Sequence, residues 1–488
     1  MELIGKSNRI FKKITGKVNV DVILKIFMVV ILLYYFLGLL SYATVPIKPI
    51  YRLFTSSSSV AVIVRAFMTG LICVYSILLL IYKKIKVNWK FLCIFCFVLF
   101  CTLVGAIISP MSYKYIYVHS LYKTVYHINL TATYSRTLSL YLSSISDFAL
   151  AFCFMFVLPY AVKDKKQLLW LLVPIVILGV MECAYSLIKE KDIYIYLLKN
   201  STNEFGGYDV RICATFDSKE EFGSFLTLSL VCSVGTIFLM NKQKKFSIFI
   251  IMLLLFCCCL FFLISVLSLC KTSILGSGLF LFICFIWLWF YCVKKNKYLA
   301  ILSTIFGLLV IGGFCLFFFV PQFHQTGLLN KIYNYLYNFI FKRADSAVSS
   351  RTDLWMQYVE NVRGYNFLFG MSKSLISPYV TSLQPQNNPG IHNGIAYFFA
   401  SYGLIGFFVY IILFFIVLRR IFKLWKINFN YVFFFIGSLF ACTAFVLAEG
   451  EVLIVSGSNL IFPYNVIIVI FSCGVYLVEE KNYVEVNK

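Results

Sequence analysis

Apolar runs of membrane-spanning length follow one another along almost the whole chain, and they restrict the fold more than any other feature. A hydrocarbon core takes roughly 20 mostly apolar residues per helix, and about twelve stretches meet that length. They lie near 26–45, 60–82, 91–109, 138–162, 168–188, 222–240, 246–267, 274–293, 299–320, 395–418, 431–448 and 460–478. In lipid every backbone N–H and C=O needs a partner inside the protein, so such runs become helices. The expected fold class is all-α, a polytopic membrane protein of about twelve transmembrane helices. With 61% hydrophobic and 13% charged residues, the composition lies far from that of soluble globular domains.

A formal charge of +23 invites a nucleic-acid reading, but the placement of the basic residues excludes it. They mark alternate loops: KSNRIFKKITGK at 6–17, KKIKVNWK at 83–90, KDKK at 163–166, KQKK at 242–245, KKNK at 294–297 and RRIFKLWK at 419–426. This is the positive-inside pattern, so these loops and both termini are expected in the cytoplasm. The first apolar run follows a basic segment and ends in SYATVP, which resembles a cleavage site; its length favours a retained signal anchor. The 17 cysteines fall almost wholly within spans. Cys93 and Cys96 form a CxxC inside an apolar run and read as filler. Only Cys213 and, marginally, Cys270 would meet an oxidising exterior, so no disulfide framework is implied.

The outward loops are then 46–59, 110–137, 189–221, 268–273, 321–394 and 449–459, and all four histidines (119, 127, 324 and 392) lie on that side. The loop 321–394, between spans nine and ten, is the longest, and long loops in compact proteins are usually functional. Within it, GLLNKIYNYLYNFIFKR places aromatic and apolar residues at helical spacing, as in a helix lying on the membrane surface. The next segment, SSRTDLWMQYVENV, brings Leu354, Tyr358 and Val362 onto one face, with Arg351 in the first turn. A cation at the positive end of a helix is locally unfavourable, and a bound anion would offset the conflict. The alternative is an arginine that snorkels or binds a lipid headgroup.

His392 poses a similar question. Asn393 suits the N-cap of the helix opening near Ile395, which leaves His392 beside that helix's positive end. Such a place disfavours imidazolium and keeps the ring neutral, as a general base requires. A hydrogen-bonded structural histidine is the alternative. Arg211, in DVRICATFDSKEEFGSF, precedes the sixth span, and Lys271, in SLSLCKTS, occupies a tight outward turn against the charge pattern. Arg211, Lys271, Arg351 and His392 are therefore candidates for one outward pocket.

These segments, in this order, resemble the O-antigen ligase/O-antigen polymerase family of bacterial envelope glycosyltransferases, of the GT-C type. The family pattern has an arginine and a Thr/Gly-Phe turn before a span, matched by RICATF at 211–216. A Ser-x-x-(Arg/Lys)-(Ser/Thr) turn follows, matched by Ser268 to Thr272. The large loop then supplies Arg-x-x-x-Trp and a downstream glycine, here Arg351, Trp355 and Gly370. A His-Asn pair opens a helix with a Gly-Leu-x-Gly step, here His392, Asn393 and Gly403 to Gly406. The resemblance covers roughly 205–420; the five earlier spans match only in hydropathy. It divides the chain into N-terminal spans (1–204), a catalytic region (205–420) and two C-terminal spans (421–488). The chain departs from the pattern at DSKEE, 217–221, where a Pro-Asn pair is usual, and at Lys271, where arginine is common.

The resemblance implies glycan transfer at the outer face of the bacterial plasma membrane. The donor would be a glycan on undecaprenyl diphosphate, and the acceptor a sugar hydroxyl on another lipid-linked glycan or on lipid A-core. His392 would take the acceptor proton during an inverting displacement. Arg211 and Arg351, assisted by Lys271, would hold the diphosphate as it leaves. Asn393 and Trp355 join Lys271 as implied substrate-binding residues. No cofactor or metal is implied, and contacts with other polysaccharide-assembly proteins and the bilayer complete the expected partners.

The acidic residues agree with that reading. Metal-using membrane glycosyltransferases need a carboxylate cluster, yet loop 46–59 has no Asp or Glu, and no DxD occurs in the chain. Asp147 and Glu182 fall inside spans, where acids are costly; pairing with a base such as Arg65 is expected. Glu449 and Glu451 form an outward ExE that is solvated or orients an arginine or the acceptor. Three functions compete: a polymerase joining repeat units, a ligase moving finished polymer to lipid A-core, and a flippase for lipid-linked oligosaccharide. The last is disfavoured by the single asymmetric loop and by the lack of a broken-helix pair in matching halves.

Overall fold

The structure is a computed structural model that describes residues 59–82, 116–117, 125–126, 165–199, 204–205, 208–209, 212–216, 219–240, 248–268, 270–295, 297–320, 364–370 and 393–449, with isolated positions elsewhere. The described residues are nearly all helical. In chain order they form α1 (Ser59–Tyr82), a hairpin of β1 (Ile116–Tyr117) and β2 (Val125–Tyr126), α2 (Lys165–Lys189) and α3 (Lys191–Lys199). A second hairpin, β3 (Glu204–Phe205) with β4 (Tyr208–Asp209), leads to α4 (Lys219–Met240), α5 (Ile248–Leu267), α6 (Lys271–Lys295) and α7 (Lys297–Phe319). The short α8 (Tyr365–Phe369) and the long α9 (Gly394–Glu449) complete the set. Both hairpins are antiparallel and fall in segments expected as outward loops.

Five segments among the described residues are long and apolar enough to cross a membrane: Leu172–Lys189, Lys219–Met240, Phe249–Leu267, Lys271–Lys294 and Phe414–Phe445. The first four agree with the spans expected from hydropathy. Helix α4 is the hub, with 83% of its span buried against 33% for α5. Its composition explains the position. Small and hydroxylic residues let neighbouring backbones approach closely, and each hydroxyl is satisfied one turn back. Thr227, Ser229, Ser233 and Thr236 donate to the carbonyls of Gly223, Phe225, Ser229 and Cys232 at 2.8–3.0 Å. On one flank Gly179 of α2 faces Ser229, where an added Cβ would sit 2.5 Å from the hydroxyl oxygen.

Helix α6 runs antiparallel to the last part of α9. Gly276 lies against Ala441, Phe280 packs edge-on against Phe434 at 6.0 Å, and Trp287 Nε1 donates to Asn430 Oδ1 at 2.9 Å. Beyond them Lys294 sits 4.0 Å over the Phe429 ring. Phe238, at the end of α4, meets both Trp287 (4.7 Å) and Tyr431 (6.2 Å). The end of α4, the end of α6 and the residues around Asn430 therefore meet at one end of the bundle. The turn at 212–216 and the start of α6 lie together at the other end.

Residues 419–430 were expected as a basic loop between two spans; helical geometry continues from 419 to 427, and the chain departs from it at Asn428 (φ −157°, ψ 89°), inside that stretch, as it does earlier at Gly403 (φ 67°, ψ −169°). Val417, Ile421 and Leu424 are all buried and share one helical face, while Lys423 and Lys426 are exposed. The apolar stripe outweighs the charge, and the lysine stems carry their ammonium groups outward.

Candidate active site

The RICATF motif ends in a tight turn whose local chemistry is unusual. Phe216 N–H donates to Cys213 C=O at 2.8 Å, closing a β-turn with Ala214 at its first central position and φ +50°. Primed turns demand positive φ there, which glycine meets without strain and alanine does not. Two carboxylates from α2 and its end hold the strained turn. Glu190 Oε1 accepts the N–H groups of Cys213 and Ala214 at 3.0 and 3.2 Å, and Oε2 lies 3.2 Å from the Ala214 nitrogen. Thr215 Oγ1 donates to Glu182 Oε2 at 2.7 Å. Glu182 thus has a hydroxyl partner that hydropathy could not suggest; Arg65, its expected mate, has no described side chain. Below the turn, Ile212, Ala214 and Phe216 are buried, with Phe216 against Phe222 and Phe225 of α4 at 5.9 and 5.4 Å.

Behind Glu190 a short relay completes the clamp. Ser186 Oγ donates to Glu190 Oε2 at 2.6 Å and lies 2.7 Å from Tyr194 Oη. Serine has a single hydroxyl proton, and it is used on the carboxylate, so the Tyr194 phenol must be the donor to Ser186. Burial pushes that phenol above its usual range, partly countered by the bond to Ser186, so it keeps its proton at neutral pH. Because Ala214 is held against its own preference, Ala214→Gly is expected to raise unfolding stability by about 1 kcal/mol. A higher thermal midpoint of the detergent-solubilised protein would register it.

The same end of α4 is joined to the α5–α6 turn by a buried hydroxyl cluster. Thr227 Oγ1 lies 2.9 Å from both Ser273 Oγ and Ser277 Oγ. Ser273 Oγ reaches the Gly223 carbonyl at 2.7 Å and Ser265 Oγ at 3.0 Å, while Ser268 Oγ donates to the Ser265 carbonyl at 2.8 Å. A side chain at Gly223 would meet Cys270 and Ser273 within 2.8 Å, so glycine is what allows this approach. The turn ends on Lys271, exposed at the first position of α6. Helix α4 opens with Glu220 and Glu221, which answer its positive end, whereas the first turn of α6 contains no acid.

A second corner joins the large loop to the His-Asn helix. Asn393 Oδ1 accepts the N–H groups of Ile395 and Ala396 at 2.9 and 3.0 Å, so the N-cap expected from the sequence is formed. About two and a half turns into α9, Gly403 breaks the helix where α8 arrives. Helix α8 ends on Gly370 (φ 80°, ψ 169°), whose N–H donates to the Asn366 carbonyl at 2.8 Å. A Cβ on Gly370 would fall on the Ser401 carbonyl, and one on Gly403 would fall on the Leu368 carbonyl. The two glycines of the motif are thus packed backbone against backbone. Both occupy a region of φ and ψ that is essentially reserved for glycine.

Of the residues expected at the site, Lys271 and Asn393 are described, whereas Arg211, Arg351, Trp355 and His392 lie outside the described residues. So do most of the loop 321–394 and its two expected surface helices. The chain on either side of these gaps is informative. Ile212, next to Arg211, and Lys271 belong to one end of the bundle, linked through Phe216, Phe222, Gly223 and Cys270. The sequence reading missed Glu190 and the glycine–glycine contact. The only signal for Glu190 was a lone acid between two lysines at the end of a span. No group of three or more His, Cys, Asp or Glu among the described residues is arranged to hold a metal ion.

In the comparison with protein families, residues 256–411 match the family described as O-antigen ligase. No curated protein matches the chain. The matched stretch is narrower than the resemblance at 205–420 and begins after the Arg211 turn. It contains the Lys271 turn, the large loop with Gly370, and the stretch of sequence from His392 and Asn393 to Gly403. From within α5 to within α9, the chain is similar to the O-antigen ligase family.

Proposed function

We propose that the protein is a membrane glycosyltransferase that moves a glycan from a polyprenyl diphosphate to a sugar hydroxyl at the outer face of the plasma membrane. The observation that carries this reading is the O-antigen ligase match at 256–411, because Lys271, Arg351, Trp355, His392 and Asn393 all fall inside it. In the proposed step the acceptor oxygen attacks the anomeric carbon and the bond from that carbon to the diphosphate oxygen breaks. His392 takes the hydroxyl proton, and the diphosphate leaves with the bonding electrons, held by Arg211, Arg351 and Lys271. The configuration inverts. The acid-free first turn of α6, beginning with Lys271, supports a role for that turn in holding phosphate. The formed Asn393 cap supports a neutral His392 beside a helix N-terminus.

Of the two transfer reactions we favour polymerisation of lipid-linked repeat units into O-antigen or capsule. The description of the matched family favours the second, ligation of finished polymer to lipid A-core. Deletion of the gene separates them on a gel of surface glycan. Core capped with single repeats identifies a polymerase; polymer retained on lipid beside bare core identifies a ligase; unchanged glycan overturns both. Because the cations do the work of a divalent ion in this reading, purified enzyme is expected to keep its rate in excess chelator. An absolute requirement for added Mg²⁺ or Mn²⁺ would contradict the cationic clamp.

A further inference from the structure

We propose that Glu190 is a positioning residue for transfer, holding through backbone N–H groups the turn onto which Arg211 is joined; this rests on the reading of Arg211 as a diphosphate-binding residue. Glu190 stands at the elbow between α2 and α3, where its own N–H and C=O continue the helical pattern to Ser186 and Tyr194. Its side chain does not point into the helix surface. It crosses to a segment more than twenty positions along the chain and caps the two successive amides that follow Ile212. Hydrogen bonds from amides to a charged acceptor are among the stronger ones in proteins. Here they are spent on a turn with positive φ at a non-glycine residue, a conformation the chain would not hold unaided.

The arrangement has the form of a support rather than of a contact with substrate. Both carboxylate oxygens are engaged, one by the two amides and the other by Ala214 N–H and Ser186. Ser186 is in turn oriented by Tyr194, and Ser186 and Tyr194 are buried. The hydrogen-bond chain from α3 through Glu190 to the turn fixes where the backbone leaves Ile212. Thr215 on Glu182 fixes the other side of the same turn. Displacing a charge-stabilising group by about 1 Å can cost on the order of a hundredfold in rate. Loss of Glu190 is therefore expected to appear in the chemical step.

The test uses full-length protein in detergent or nanodiscs, assayed with its lipid-linked glycan donor, and compares the wild-type protein with Glu190→Ala, Glu190→Gln, Arg211→Ala and the Glu190→Ala/Arg211→Ala pair. Rates are expressed per folded molecule, with folding followed by thermal midpoint. Glu190→Ala is expected to lower kcat on the order of a hundredfold with a smaller change in KM. Glu190→Gln, whose amide oxygen still accepts an N–H, is expected to recover part of the loss. Adding Glu190→Ala to Arg211→Ala is expected to cost little more, because both act on one group. A wild-type rate per folded molecule in Glu190→Ala, or full additivity with Arg211→Ala, overturns the proposal. If the wild-type protein transfers no glycan, the transferase reading itself fails; if Arg211→Ala is fully active, the diphosphate role of Arg211 fails; if Arg211→Ala is slow while Glu190→Ala is not, the failure belongs to Glu190 alone.

Discussion

His392→Ala is expected to yield a protein that inserts, accumulates and binds polyprenyl diphosphate normally but transfers no glycan. Removing the imidazole takes away the group proposed to accept the hydroxyl proton and leaves the proposed cations in place. Donor affinity should therefore persist while turnover is lost, the pattern of an interaction made only in the transition state. Structural damage is not a competing cause at the neighbouring residue. The helix start is secured by Asn393, whose side chain caps two amides independently of the ring beside it. The measurement is transfer of radiolabelled glycan by purified protein, alongside equilibrium binding of the lipid diphosphate. Retained transfer would remove His392 from the chemistry.

Gly403→Ala is expected to have the largest effect on folding. The backbone there would place a left-handed, fully extended conformation on a residue with a Cβ, costing about 1–3 kcal/mol. The new carbon would also fall on the Leu368 carbonyl, and overpacking of this kind costs a further 1–3 kcal/mol or so. Gly370→Ala meets the Ser401 carbonyl in the same way. Neither obstacle is the end of a flexible side chain, so neither can swing aside. Low accumulation in the membrane and a depressed thermal midpoint are the expected results, in both variants. Wild-type stability in Gly403→Ala would contradict the backbone contact between α8 and α9.

What the sequence could reveal depended on the range of each interaction. The spans were legible because hydropathy is read one segment at a time, and α2, α4, α5 and α6 fall within a few residues of their expected bounds. The Asn393 cap was legible for the same reason: its partners are two and three positions away. At 419–430 the charge pattern pointed to a break, and α9 leaves helical geometry there at Asn428, but the charges hid the buried stripe of Val417, Ile421 and Leu424 that leads into it. Glu190 was invisible because its partners lie beyond an intervening helix and hairpin, and no periodicity links them. Gly370 and Gly403 were visible as motif members, but their contact was not, since it involves backbone atoms that every residue shares.

The joint between α4 and α6 is made of hydroxyls and a carbonyl, from Thr227, Ser273, Ser277 and Gly223. None of these groups gains or loses a proton across the acidity range in which a bacterium lives, so the grip between the two helices is the same in mild acid and in mild base. A curve of turnover against acidity should therefore report the proposed histidine base, undistorted by any loosening of this part of the frame.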